Sequence, residues 1–386
     1  MTLFKCPKCG AISSSDWICK CGFLMEIVPE KLIWSVDERE PSIWRYKSLL
    51  PHAESIVSLG EGLTDLRRVD GVLVKDETKN PTGSYVDRGS SVMISSSNLI
   101  MSELEYLQDV TISLASYLIA SGREVRVIID PEGVDVSELL YLSQLDIPIS
   151  FSAGGARASY ENPFMIEGFK TIAYELYEFK GKFDGIVIPS ESGILAYGVI
   201  KGFRELEEMG LMKVPQIYLV HYSGIGGEFV EFLKSLGAKT MSLDTKDTME
   251  SLVKLARLGI YVKPISAMAY SAASRLGSEY IALLTGSSRR WKNPSSFTPL
   301  TGLQRRILDV MGDREMTAYQ IWRLVGGATL QGVYKALSKL SRMGLVSSER
   351  KLYKRRMKRV YKLRSSGGGD VNRSEGEGDF IKGIFS

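Results

Sequence analysis

A chain of 386 residues with 44% apolar and 24% charged side chains has an ordinary globular composition and enough length for two or three domains. No apolar run reaches the roughly 18 residues of a membrane span, and the opening Met1-Thr2-Leu3-Phe4-Lys5-Cys6 lacks the features of a secretory signal, so no membrane partner is expected and the expected location is cytoplasmic. Net charge is only +4, but residues 298–363 hold 15 Lys/Arg against 4 Asp/Glu, a local +11 that leaves the remainder near −7 and predicts a basic module on a mildly acidic body.

All four cysteines come first: Cys6, Cys9, Cys19 and Cys21, spaced C-x2-C-x9-C-x-C with a glycine after each pair. Two such knuckles can present four thiolates tetrahedrally to zinc, the glycines taking the positive-φ turns. Residues 1–32 are therefore expected to be a zinc-ribbon knuckle. Four thiolates fill the metal's coordination sphere, so the expected zinc is structural. The alternative is a degenerate knuckle with four free thiols. Few basic residues lie here, which favours packing or protein interaction over nucleic acid.

From residue 33 to 288 the pattern alternates. The β-branched runs GVLV (71–74), VRVIID (125–130), GIVIP (185–189) and QIYLV (216–220) read as buried strands. Between them VTISLASYLIAS (110–121), PFMIEGFKTIAYELYEF (163–179) and GILAYGVIKGFRELEEMG (193–210) read as helices. This alternation predicts a parallel α/β domain, with ligands expected at the carboxyl ends of the strands.

Residues 289–300 read as a linker. Three short amphipathic helices follow (303–312, 317–326 and 329–344), the last with Leu330, Val333, Leu337, Leu340 and Met343 on one stripe, and then two strands around a basic loop. That order, over residues 301–364, is expected to be a winged helix-turn-helix. Its third helix would offer Gln331, Lys335, Lys339 and Arg342 to a major groove, and its wing Lys351, Lys354, Arg355, Arg356, Lys358 and Arg359 to phosphates. DNA is the expected partner; a solvated basic face used for protein contacts is the alternative. The Gly/Ser/acid-rich stretch 365–386 is expected to be a disordered tail.

Several stretches resemble threonine synthase, a pyridoxal-phosphate (PLP) enzyme of fold type II: the knuckle, WRYKSLLP (44–51), VSLGEGLTDL (57–66), VKDETKNPTGSYVDRGSS (74–91), ENPFMIEGFKTIAYELY (161–177), IVIPSESGILAYGVIKGFRELEEMG (186–210) and LLTGSS (283–288). The resemblance covers most of residues 1–288 and implies a fold-type-II (tryptophan synthase β-like) α/β core. The family's loop reads S-F-K-D-R-G, and its lysine forms the internal aldimine. Here the loop is Ser84-Tyr85-Val86-Asp87-Arg88-Gly89, and valine has neither a nucleophile nor a titratable group. Lys75 and Lys79 are the neighbouring amines, and neither is expected to substitute.

The phosphate cradle P-V-G-N-G-T becomes Pro189-Ser190-Glu191-Ser192-Gly193-Ile194. By resemblance Ser190, Ser192, Gly193 and Thr285 are the remnants of a PLP pocket, with Glu191 adding a repulsive charge on the order of several kcal/mol at contact distance. The ring-packing loop S-S-G-N-A-G aligns with Tyr106–Thr111 and loses both glycines and its asparagine. Short spacings from Gly89 to Tyr106 and from Asp130 to Asn162 predict a reduced small domain. PLP is not expected to bind, and no catalytic residue is assigned.

The expected function is a non-catalytic, DNA-binding transcriptional regulator whose central domain is a homodimer scaffold, a sensor of a small metabolite or amino acid, or both. One alternative is a PLP-dependent lyase with residual or altered activity. The other is a non-enzymatic protein-interaction scaffold.

Overall fold

The computed structural model describes residues 2–97, 103–131, 133–145, 147–151, 160–179, 181–222, 227–288, 302–312, 314–342, 345–353 and 356–363. The expected linker 289–300 and tail 365–386 lie outside the described residues. The chain divides into two units, Met1–Pro299 and Leu300–Ser386.

The first unit is built on a six-stranded sheet ordered Lys239–Leu243, Gln216–Tyr222, Gly185–Pro189, Tyr280–Leu284, Val72–Asp76 and Leu66–Val69. All neighbours are parallel except the last pair, an antiparallel edge. Side chains alternate between faces, and both faces are covered, so the inner strands are apolar throughout. Ile186, Ile188, Leu219 and Leu283 join one core cluster; Val187, Val74, Ala282 and Leu284 join another. Helix Pro264–Leu276 covers the second face through fully buried Ala267, Ala269, Ala272 and Ala273. Their small side chains let the helix lie close to the sheet.

Helices Val86–Ser96, Pro163–Phe169, Thr171–Glu178 and Ile194–Glu208 pack into the first cluster. Residues 163–179 therefore form two helices where the sequence pattern reads as one. The Thr171 hydroxyl donates to the Gly168 carbonyl at 2.6 Å, competing with the helical ladder at the break. Gly168 itself lies against the backbone of the neighbouring helix: a Cβ there would come within 2.2 Å of the Arg88 carbonyl oxygen. A three-stranded parallel sheet, ordered Glu103–Glu105, Arg126–Ile129 and Ile149–Phe151, carries helices Val110–Ala120 and Val136–Leu142. We refer to it as the small subdomain.

Residues 1–32 hold an antiparallel sheet of Ile12–Ser13, Phe4–Lys5 and Glu26–Ile27. Phe4, Phe23, Leu24, Met25 and Ile27 are buried in the same cluster as the α/β helices. The segment has no separate core.

The second unit has helices Gly302–Met311, Ala318–Val325 and Leu330–Arg342. Its antiparallel sheet runs Met316–Thr317, Arg356–Leu363, Val346–Tyr353. Thr317 and Gln320 form a reciprocal capping box that starts the second helix. The stripe expected on the third helix points inward, with Val333, Leu337 and Leu340 fully buried and Leu330 half-buried; Met343 lies outside the described residues. Among the described residues no helix is long and apolar enough to cross a membrane.

Candidate functional site

The loop Glu77–Ser84 leaves the carboxyl end of strand Val72–Asp76 and enters helix Val86–Ser96. The Tyr85 amide donates to the Thr285 carbonyl at 3.0 Å, and Ser84 pairs with Gly286. This loop therefore lies beside the end of strand Tyr280–Leu284. The register pairing Ala282 with Val187, extended three residues, brings Thr285 level with Ser190. Val86, Thr285 and Ser190 thus share the carboxyl edge of the sheet, where helices begin.

The loop is held by charge. Arg88 is fully buried; its Nε and Nη2 donate to Glu77 at 2.6 and 2.8 Å, and its Nη1 and Nη2 to Glu175 at 2.5 and 2.9 Å. Lys75 donates to Glu175 at 2.6 Å and to the Thr64 carbonyl at 2.7 Å. Two cations thus face two carboxylates with little solvent. Burial alone would raise the Glu175 pKa, but the Arg88 and Lys75 charges hold it down at about 2. Asp87 accepts from the Thr82 amide and hydroxyl and from Ser113 at 2.6 to 2.7 Å, which closes the turn.

Val86 stands at the first helical position, 1% exposed and inside the main core cluster. Lys75 is committed to its ion pairs. Lys79 is 55% exposed, with Nζ 4.0 Å from Asp76. The amine that sequence reasoning missed is Lys263, which precedes helix Pro264–Leu276. Its Nζ lies 3.0 Å from Asp109 and 2.9 Å from Glu138, joining the main sheet's helix to the small subdomain. Its backbone amide donates to Gly286 at 3.0 Å, so it borders the same edge. Asp109 has φ +63°, and the Val110 amide donates to the Gln108 carbonyl at 2.8 Å. That is a positive-φ γ-turn, a strained geometry, held by Lys263 and by the Asp109 amide donating to Glu138 at 3.0 Å. No local motif signals this triad, because its members lie far apart in sequence.

The other expected pocket residues divide. Ser190 is 3% exposed, and among the described residues its hydroxyl has no hydrogen-bond partner. Gly193, at φ +87°, opens the 15-residue helix Ile194–Glu208, whose N-terminus favours anions. Ser192 is hydrogen-bonded to Tyr160, whose hydroxyl lies 2.6 Å from that of Tyr85. Burial, then Tyr160 and Glu191, pushes the Tyr85 hydroxyl pKa well above its ordinary value. Glu191 is exposed. The Thr285 hydroxyl is 3.0 Å from that of Ser266. Beyond the loop lies a cavity of about 380 Å³, lined in part by Arg67, Lys79, Thr82, Tyr261 and Ser287.

PLP needs an amine for its aldehyde and a cradle for its phosphate. The orphaned Ser190 hydroxyl at a helix N-terminus suits the phosphate. The attachment position does not suit the aldehyde, because Val86 is a core hydrophobe and Lys75 is locked in ion pairs. The residues present do not fit a cofactor linked at the loop.

The cysteines do fit a metal. The sulfurs of Cys6, Cys9, Cys19 and Cys21 all lie within 4.8 Å of one another, with Cys6–Cys21 at 3.6 Å and Cys9–Cys19 at 3.5 Å. Tetrahedral zinc with bonds of about 2.3 Å requires sulfurs about 3.8 Å apart. Gly10 and Gly22 take φ +76° and +82°, as the two knuckles require.

In the second unit Gln331, Lys335, Lys351 and Arg359 are exposed and Lys339 is half-buried. Lys351 lies 2.6 Å from Glu315. Lys354 and Arg355, and the side chains of Arg342, Arg356 and Lys358, lie outside the described residues. The hairpin register sets Arg350 opposite Arg359 and Lys351 opposite Lys358.

A family described as pyridoxal-phosphate dependent enzyme matches residues 154–286. That span includes Ser190 to Gly193 and Thr285, while Val86 precedes it. Among curated proteins the chain is similar to the threonine synthase of Methanocaldococcus jannaschii, 26% identical over 364 residues, covering 81% of this chain and 89% of that one. It is also similar to the threonine synthase of Methanosarcina acetivorans, 27% identical over 306 residues, covering 68% and 74%. Among solved structures it is similar to the processed form of threonine deaminase isoform 2 from Solanum lycopersicum, with TM-score 0.49 and 14% identity, covering 62% of this chain and 88% of that one.

Proposed function

We propose that this chain, which is similar to threonine synthases and matches a pyridoxal-phosphate-dependent enzyme family over residues 154–286, keeps a fold-type-II α/β scaffold for binding and has given up lysine-borne chemistry. It acts as a transcriptional regulator, with the first unit as dimerisation and ligand-sensing scaffold and the second unit as a winged helix bound to DNA. The observation that carries this reading is Val86, a core residue where the family's loop has its lysine. The orphaned Ser190 hydroxyl offers a small ligand a polar contact, and the cavity beside the Asp76–Gly83 loop offers room for one. A ligand would act by binding the DNA-competent and DNA-incompetent states unequally.

Support for the nucleic-acid half comes from charge. The hairpin register sets basic residues opposite one another at two positions, a density of basic residues that suits phosphate contacts. Selection of genomic fragments with the full chain at moderate salt tests this reading: enrichment of a discrete motif supports it, and recovery of no sequence above background counts against it.

A second reading, a PLP-dependent lyase of altered activity, is favoured by the two curated relatives, both named threonine synthase. The Lys263 amine borders the same sheet edge and is its candidate for a replacement lysine, which would first have to leave Asp109 and Glu138. Added PLP separates the two readings: an aldimine absorbance band that disappears in Lys263→Met would favour the lyase.

A further inference from the structure

The cysteine knuckle touches the beginnings of two helices. Phe23 follows the second cysteine pair, is 4% exposed, and stacks on Phe229 at 4.8 Å with planes 13° apart. Its edge-on partner is Phe232, at 4.9 Å. Both partners lie in helix Glu228–Ser235. Phe229 in turn lies over Gly193: a Cβ there would come within 2.8 Å of its ring. Two residues in sequence, Gly22 and Phe23, and one stacked ring therefore separate Cys21 from the glycine that opens the anion-favouring helix.

A second set of contacts runs beside the first. The Tyr197 hydroxyl donates to Glu26 at 2.6 Å, and Lys201 donates to the Ile27 carbonyl at 2.6 Å and to Glu167 at 2.5 Å. Glu26–Ile27 is the third strand of the knuckle sheet, while Tyr197 and Lys201 lie in the first two turns of helix Ile194–Glu208. Lys201 is 6% exposed, so a shift of Glu26–Ile27 would take one hydrogen-bond acceptor from a buried ammonium and leave it on Glu167. Tyr197 also packs edge-on against Phe229 at 5.6 Å.

We propose that the metal site controls the Ser190–Gly193 anion cradle, with Phe23 and Phe229 as the positioning residues that carry the coupling. With metal bound, the knuckle fixes Phe23, Phe23 fixes Phe229, and Phe229 fixes the left-handed Gly193. Without metal, nothing ties the four sulfurs together, so the knuckle loosens and the first turn of the helix frays. Nothing in this coupling requires an aldimine or a DNA-binding second unit. By linkage, an anion in the cradle must tighten the metal by the same factor that the metal tightens the anion.

The test is amide hydrogen exchange on the full chain, with zinc and after chelation under reducing conditions. Exchange at residues 197–201 should accelerate about 5- to 150-fold, the range of ordinary allosteric coupling. Amides of strand Tyr280–Leu284 should not change. Phe229→Ala, with its zinc content retained, should give the same acceleration without chelation. Inorganic phosphate should slow zinc loss to a chelator in wild type but not in Phe229→Ala. Loss of protection confined to residues 4–27, with 197–201 unchanged, would overturn the proposal. So would a zinc-bound Phe229→Ala protein with wild-type exchange at 197–201.

Discussion

Val86→Lys places, at the start of helix Val86–Ser96, the amine that the resembling loop carries. Val86 is 1% exposed in the main core. The buried carboxylates of this loop and its partner helix are already engaged: Asp87 accepts from Thr82 and Ser113, while Glu77 and Glu175 hold Lys75 and Arg88. A new ammonium would have no counter-charge, and burial without one lowers a lysine pKa by up to about 3–5 units. Releasing the proton at pH 7 from an ordinary value of about 10.4 costs about 5 kcal/mol. Losing the buried valine adds about 2 kcal/mol. The expected variant is destabilised by roughly 5–7 kcal/mol, which for many domains means unfolding at 37 °C. Urea denaturation followed by tryptophan fluorescence gives the stability, and absorbance with added PLP tests attachment. A variant within about 1 kcal/mol of wild type that forms a borohydride-reducible adduct would refute this reasoning, because the site would then already be built for a lysine.

Acid should weaken the fold through Glu175. Its folded pKa of about 2 lies below the ordinary 4.5, so its contribution is complete above pH 4.5 and disappears as pH falls toward 2. The shift is worth about 3 kcal/mol, and Glu175→Gln should flatten that limb of the stability–pH curve while leaving Glu77 as the one close carboxylate, among the described residues, for Arg88 and Lys75. Glu61 runs the other way: burial raises it to about 7, so its penalty grows as pH rises from 4.5 through 7. Glu61→Gln should therefore help more at pH 8 than at pH 5, as read by thermal melts at both pH values. Zinc should bind at one ion per chain by mass spectrometry under native conditions, and Cys9→Ser should lose it; retention of zinc in that variant would remove Cys9 from the site. If DNA binding neutralises about six phosphates, log affinity against log salt should have a slope near −5. Arg359→Ala should shallow that slope by about 1, and an unchanged slope would take this residue out of the interface.

Much of the α/β body was legible because its inner strands are buried on both faces. GIVIP and the IYLV of QIYLV are continuous apolar runs, and both lie in strands of the central sheet. The edge strand Leu66–Val69 was not legible: Arg67 and Arg68 face solvent there, and edge position rather than pattern makes it a strand. The helix break at Lys170 was hidden for a different reason. Residues 163–179 keep one apolar stripe, and the interruption comes from a side chain bonding to the backbone across the turn.

At the site, spacing located the four cysteines, and the resemblance pointed to the loop with Val86 and to Ser190. It could not locate Lys263, Asp109 and Glu138, which tertiary folding alone brings together. The same holds for Glu175, which the sequence offered only as a helical carboxylate and the fold turned into the anchor of Arg88 and Lys75. Charge partners separated by a hundred residues leave no local trace.

The most direct test of lost covalent chemistry is borohydride reduction of the wild-type protein saturated with PLP, followed by mass spectrometry of the intact chain and its peptides. The expected result is an unmodified mass at the Ser84–Gly89 loop and at Lys75 and Lys263. A stoichiometric reduced pyridoxyl adduct on either of those lysines would contradict it and make this chain a working aldimine enzyme with a relocated amine.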